Sequence, residues 1–222
     1  MPITTIDLKV GLFGDSDVGK STLLHYLQTN TILEHKSTTI GVDYASKEYE
    51  HEYSKTTNNK LKVKYQIWDT AGQERYNSII LKYYSVHIPI FMFDVSDEHS
   101  FVNVKKWINN YSQSSRYTPI KKYCIGNKID LQHRINENDI EELCYKNNMI
   151  YFENSNTIKN NIHSIFNTIT DDIATLYYNN YKWCDSIKIN THKQPNTLTL
   201  TVLNTRRNFN RNTPGNTLRC CY

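Results

Sequence analysis

The chain has 222 residues, 38% hydrophobic and 22% charged, long enough to bury a full core, and its net charge is only +4. From Lys182 onward seven Lys or Arg stand against one Asp, a local excess of +6, so the basic character lies in the tail and residues 1–181 carry −2. Met1 to Val10 lacks the apolar run of a signal peptide and no stretch approaches a membrane span; five cysteines without a leader argue for a reducing compartment and against a disulfide framework.

Residues 6–13 alternate as a strand and run into Gly14-x-x-x-x-Gly19-Lys20-Ser21, which is followed by a helix-like Thr22 to Gln28. Strand, glycine loop and helix N-terminus together form a phosphate cradle. The backbone of Gly14, Asp15, Ser16, Asp17, Val18 and Gly19 is expected to wrap a polyphosphate, Lys20 to supply a cation, Ser21 to ligate Mg²⁺ and Thr22 to open the helix. Asp17 is out of place there, since it puts a carboxylate into a loop built to receive anions.

After a polar segment, Thr29 to Ser37, two extended stretches, Val42 to Tyr53 and Leu61 to Trp68, flank an Asn-rich turn and read as a hairpin. Ile88 to Val95, Lys121 to Gly126 and Met149 to Phe152 read as short strands, and Ser100 to Tyr111, Glu137 to Lys146 and Asn161 to Tyr178 carry helical spacing. Cys124 and Cys144 fall at core positions of a strand and a helix. This alternation predicts an α/β fold, with helices on both faces of a parallel-rich sheet and a ligand at the carboxyl ends of the strands. One domain is expected over residues 1–180. Residues 181–222, rich in Thr, Asn and Arg with Pro195, Pro214 and Gly215, are expected to form a flexible tail, because they offer too little apolar area to offset ordering.

Two further segments make the cradle nucleotide-specific. Asp69-Thr70-Ala71-Gly72-Gln73-Glu74 follows a strand and offers a carboxylate near the metal, a glycine N–H for a terminal phosphate and a Gln to orient water. Asn127-Lys128-Ile129-Asp130 also follows a strand, and its carboxylate can accept both N1–H and N2–H₂ of guanine, a donor pair that adenine lacks.

With these in place the chain resembles the Ras superfamily of small GTPases, and more narrowly the Rab family. The narrower likeness rests on Ile40-Gly41-Val42-Asp43-Tyr44, on Gln66 to Tyr76, on the Tyr83-Tyr84 pair and on the terminal Cys220-Cys221-Tyr222. The resemblance implies a single P-loop G domain with a six-stranded, mostly parallel sheet. It implies GTP or GDP with Mg²⁺ held by Ser21 and Thr39 directly and by Asp69 through water. Thr39 and Gly72 would sense the γ-phosphate, Gln73 would position the attacking water, and a GAP would supply the missing transition-state charge. Asn127, Lys128, Asp130, Ser155 and Asn156 would surround the base. An exchange factor, effectors and a GDI or escort protein are the implied partners of an expected monomer.

Four departures stand out. The family usually has Gly where Asp17 stands, and the aromatic over the guanine face is replaced by Ile32; both point to weaker nucleotide holding and fast exchange. Glu153 to Thr157 replaces the usual Ser-Ala-Lys segment, and the hairpin carries about seven extra residues near Ser54 to Lys60. The Cys220-Cys221 end matches the Rab double-cysteine terminus, which implies two geranylgeranyl groups. Two chains plus a +6 tail would hold the protein on the cytoplasmic face of an endomembrane, cycling with the cytosol. Binding of nucleic acid by the tail is not expected, since Phe209 is the one aromatic among Arg206, Arg207, Arg211 and Arg219. Two rivals remain. One is a nucleotide-weak scaffold that recruits partners without cycling; the other, a P-loop ATPase or kinase, is opposed by Asn127 to Asp130.

Overall fold

The computed structural model describes residues 2–31, 42–52, 60–70, 85–115, 118–155, 161–183 and 185–193. In chain order the elements are β1 (Pro2–Phe13), α1 (Lys20–Thr29), β2 (Val42–Glu52), β3 (Lys60–Thr70), β4 (Ile88–Asp94), α2 (Glu98–Ser114), β5 (Lys122–Asn127), α3 (Glu137–Asn147), β6 (Met149–Asn154), α4 (Asn161–Tyr178) and β7 (Lys188–Lys193). The strand order is β2-β3-β1-β4-β5-β6, with β7 beside β1. The strands are parallel except β2, antiparallel to β3, and β7, antiparallel to β1. The α/β fold with helices on both faces is therefore as the alternation predicts.

Period two sorts the strand residues between the faces. Ile6, Leu8 and Val10 of β1 pack with Leu23, Leu24 and Leu27 of α1 and with Ile165, Phe166, Ile169 and Ile173 of α4. On the other face Phe91 and Phe93 of β4 pack with Val104, Trp107 and Ile108 of α2 and with Leu143 of α3. Cys124 and Cys144 are both buried in that second layer as free thiols. Every residue of β4 is buried, which is why its sequence reads as a continuous apolar run and not as an alternation. Polar side chains start the helices: Asp97 accepts the His99 N–H ahead of α2, and Asn136 accepts the Asn138 N–H ahead of α3.

Among the described residues the sheet has seven strands, one more than expected, and the extra strand comes from the segment read as tail. β7 pairs with the first half of β1, from Lys188 opposite Asp7 to Lys193 opposite Pro2. β1 starts well before the strand expected from residue 6, and β4 joins it only from Val10 onward, so the first half of β1 has an open ladder edge. β7 fills it with main-chain hydrogen bonds, an energy that a count of apolar side chains does not register. Ile187, just ahead of it, is buried in the α1–α4 layer. The second strand of the hairpin is longer than the expected Leu61 to Trp68, and the pair runs in register from Val42 opposite Thr70 to Glu52 opposite Lys60. Residues 54–59 of its insertion lie outside the described residues.

His87 fastens this arrangement where β1 changes neighbours. Its backbone N–H donates to the Lys9 carbonyl, and its ring Nδ1 accepts the Lys9 N–H at 3.0 Å. That fixes the proton on Nε2, which donates to Ser186 Oγ at 3.0 Å, just ahead of β7. Burial, helped by the nearby Lys9, pushes the His87 pKa down to about 4. The unfolded chain, titrating near the ordinary histidine value of 6.5, then binds more protons than the folded one, so stability contributed by the neutral ring is lost as pH falls from 6.5 toward 4. Urea denaturation at pH 7 and pH 5 checks this: the midpoint is expected to fall at pH 5, and to fall distinctly less in His87→Gln.

Candidate functional site

β1, β3 and β5 run parallel with their carboxyl ends at one edge of the sheet, and each hands its chain to one of the three motifs. After β1 the backbone turns sharply. Gly14 has φ +153°, and a Cβ there would lie 2.3 Å from the Met92 carbonyl oxygen; Gly19, at φ +99°, precedes α1. Asp17 takes the left-handed conformation at φ +64°, which Asp tolerates better than most residues.

Lys20 opens α1 and folds back under the loop, where its Nζ donates to the Gly14 carbonyl at 2.8 Å and to the Asp15 carbonyl at 2.6 Å. It is 5% exposed, and burial draws its pKa down to about 8 against the opposing pull of Asp69, Asp15 and Asp17. Asp69, near the end of β3, is fully buried. Burial raises its pKa, although Lys20 and the Ser21 hydroxyl act the other way. Ser21 Oγ donates to Asp69 Oδ2, while Asp69 Oδ1 has no hydrogen-bond partner among the described residues. A buried carboxylate oxygen without a donor, beside a serine hydroxyl, suits a hard divalent cation that takes few protein oxygens and completes its shell with phosphate and water. The residues present therefore fit Mg²⁺.

Asp15 turns its side chain away from Lys20 and onto α2. Its Oδ1 accepts Trp107 Nε1–H at 2.7 Å, and its Oδ2 accepts from Asn103 Nδ2 at 2.6 Å. The loop is thus tied to a helix some ninety positions further along the chain.

Beyond β5, Asn127 is fully buried and acts as a splice. Its Nδ2 donates to the Val18 carbonyl at 2.7 Å, and its Oδ1 accepts from Asn154 Nδ2 at 2.8 Å, joining the glycine loop, β5 and β6. Ser155 Oγ donates to Asp130 Oδ1, which fixes how that carboxylate is presented. Lys128, at φ +62°, places its Nζ 2.7 Å from Asp94 Oδ2 and 3.7 Å from Asp17 Oδ2. Burial works against the charge on Asp94, but hydrogen bonds from Lys128 and Ser96 hold its carboxyl below the usual range. Asp17 therefore does not face the loop as a lone negative charge: it shares the Lys128 ammonium with Asp94, and its own side chain is 68% exposed. That tempers the opposition to phosphate read from its sequence position.

Gly14, Asp15, Asp17, Val18, Gly19, Lys20, Ser21, Asp69, Asn127, Lys128, Asp130 and Ser155 are thus joined in one connected site. Ser16 and Thr22 lie in the same loop and first helical turn. Ile32, Thr39, Gly72, Gln73, Asn156, Cys220 and Cys221 lie outside the described residues. Four side chains that hold the site were missed in the sequence: Asp94, Asn103, Trp107 and Asn154. Asp94 and Asn154 each end their strands directly opposite Asn127, so the register would have disclosed both; no local pattern marks Asn103 and Trp107.

Replacing Asp15 with Ala strands the Trp107 and Asn103 donors, and about 1.5–3 kcal/mol of stability is expected to be lost, measurable by denaturant unfolding. Asp15→Asn, which can satisfy one of the two donors, is expected to lose less.

The sequence profile of the Ras family matches residues 9–175. The chain is 32% identical over 180 residues to GTP-binding protein YPT53 of Saccharomyces cerevisiae, covering 77% of this chain and 78% of that one. It is 34% identical over 177 residues to Ras-related protein Rab-11B of Dictyostelium discoideum, covering 78% and 76%, and 34% identical over 175 residues to a probable Rab-related GTPase of Acanthamoeba polyphaga mimivirus, covering 77% and 78%.

Proposed function

We propose a function for a chain that belongs to the Ras family and, within it, to the Rab small GTPases, enzymes that hydrolyse GTP: it is a membrane-attached GTP/GDP switch of vesicle traffic. The observation that carries this reading is the meeting of a buried ammonium, a buried carboxylate with an unpartnered oxygen and a presented second carboxylate at one edge of the sheet.

In this reading Lys20 leaves the Gly14 and Asp15 carbonyls for the β- and γ-phosphates, a stronger acceptor that offsets the cost of burying its charge. Backbone N–H groups of residues 15–21 and the positive end of α1 meet the remaining phosphate oxygens. Ser21, Thr39 and, through water, Asp69 would hold Mg²⁺, which would supply charge neutralisation between the phosphates. Asp130, with one oxygen fixed by Ser155, accepts the N1–H and N2–H₂ of guanine, and Asn127 keeps the base loop joined to the phosphate loop. Gln73 orients the attacking water, and Thr39 and Gly72 report the γ-phosphate; these roles rest on the resemblance. With no arginine in the loop to meet developing charge, unaided turnover is slow, and a GAP accelerates it by up to about 10⁵. An exchange factor, effectors and an escort or GDI act on the same cycle. The G domain runs through β7 to Lys193, and the basic tail that follows, lipidated at Cys220 and Cys221, holds it on the cytoplasmic face of an endomembrane.

Two substitutions test the binding chemistry. Asp130→Asn keeps one acceptor and gains one donor, so GTP affinity is expected to drop by roughly a hundredfold while a xanthine nucleotide, with a carbonyl where guanine has its amino group, gains; competition binding with GTP, XTP and ATP reads this. Asp17→Gly removes a carboxylate that Lys128 neutralises only in part. At a Coulomb penalty of about 1 kcal/mol for such a partly screened charge, release of a fluorescent GDP analogue is expected to slow about fivefold. Equal rates would remove Asp17 as a cause of fast exchange. The rival reading, a scaffold that does not cycle, is favoured by Asp17 and Ile32 and predicts no measurable single-turnover hydrolysis.

A further inference from the structure

At the foot of α4, on the pole away from the phosphate loop, four aromatic side chains gather. Tyr177 and Tyr178 meet edge to face at 5.2 Å, and Tyr181 and Trp183 at 5.3 Å. Together with Ile189 of β7 they line a shallow groove of about 380 Å³. Tyr177, Tyr178 and Trp183 rest partly on the α1–α4 core, while Tyr181 and Ile189 are more than a third exposed. The chain continues from this same end: β7 runs down β1 and finishes with Lys193 opposite Pro2, and 29 residues follow. Those 29 residues contain four arginines, no Asp or Glu, and the terminal Cys220-Cys221. Along the chain, the segment 179–193 that supplies most of the groove carries Lys182, Lys188 and Lys193 against the single acid Asp185.

We propose that this aromatic foot is a second membrane contact, seating in the headgroup layer of the anionic bilayer that holds the tail and giving the domain a fixed orientation. The proposal rests on the membrane reading of the tail. Tyr and Trp favour the bilayer interface, where an apolar ring and a polar tip are both satisfied, and lysines around them draw anionic headgroups. Distance favours this face as well. Even fully extended, 29 residues reach no further than about 100 Å, so a domain attached through Cys220 and Cys221 stays near the bilayer and meets it at high effective concentration. The face that arrives first is the one from which the tail departs. No helix among the described residues is long and apolar enough to cross a membrane, so the contact is a surface one.

The test supplies the attachment chemically, which separates it from the question of natural lipidation. The full chain carrying Cys184→Ser, loaded with GDP, is coupled through Cys220 and Cys221 to a maleimide lipid in vesicles of phosphatidylcholine with phosphatidylserine. Part of the phospholipid carries brominated acyl chains, and tryptophan emission is read. Quenching is expected in the parent and is expected to be largely lost in Trp183→Phe, whose GDP loading at the parent's level reports an intact fold; Tyr181→Ser is expected to weaken it. No quenching in the parent, or equal quenching in parent and Trp183→Phe, overturns the proposal. A native protein without prenyl mass would instead remove the lipidated tail and leave the vesicle result standing.

Discussion

Two opposite buried charges, one at the start of α1 and one near the end of β3, govern this molecule. Lys20 and Asp69 are both removed from water, and each is shifted toward its neutral form by burial. Charges of this kind persist only when something recovers their solvation. Lys20 has two carbonyls of its own loop, and Asp69 has one serine hydroxyl and one oxygen without a donor among the described residues. In the proposed function a polyphosphate with its metal would satisfy both at once, the anion at the ammonium and the cation at the carboxylate. The remaining architecture keeps these groups in place before any ligand arrives.

That architecture is a set of long-range ties. Asp15 fixes the loop to α2 through Trp107 and Asn103, Asn127 fixes it to β5 and β6, and Lys128 links it to β4 through Asp94. A loop so anchored need not pay its ordering entropy when it binds. Asp17 enters the same network through Lys128. The Asp17 carboxylate is tolerable in this loop because the Lys128 ammonium lies within reach.

The sequence discloses what is local and periodic. The strand leading into Gly14, the Gly19-Lys20-Ser21 turn and the Asn127 to Asp130 segment all lie where their patterns indicate, because each pattern is a contiguous backbone requirement. Two kinds of feature escape it. β7 is polar and held by its ladder, so a reading based on apolar area treats it as tail. The ties from Asp15 to Trp107 and Asn103 join residues far apart in the chain, and nothing in either neighbourhood announces the other. Asp17 was legible as an anomaly, but its pairing with Lys128 required the fold.

The central claim, that the buried pair exists for a guanine nucleotide and its metal, is tested most directly by the nucleotide content of the protein isolated without added nucleotide, before and after EDTA. The account predicts close to one GDP or GTP per chain, with release sharply accelerated when the chelator removes the metal. Protein isolated stably folded and empty, or carrying an adenine nucleotide, would contradict it.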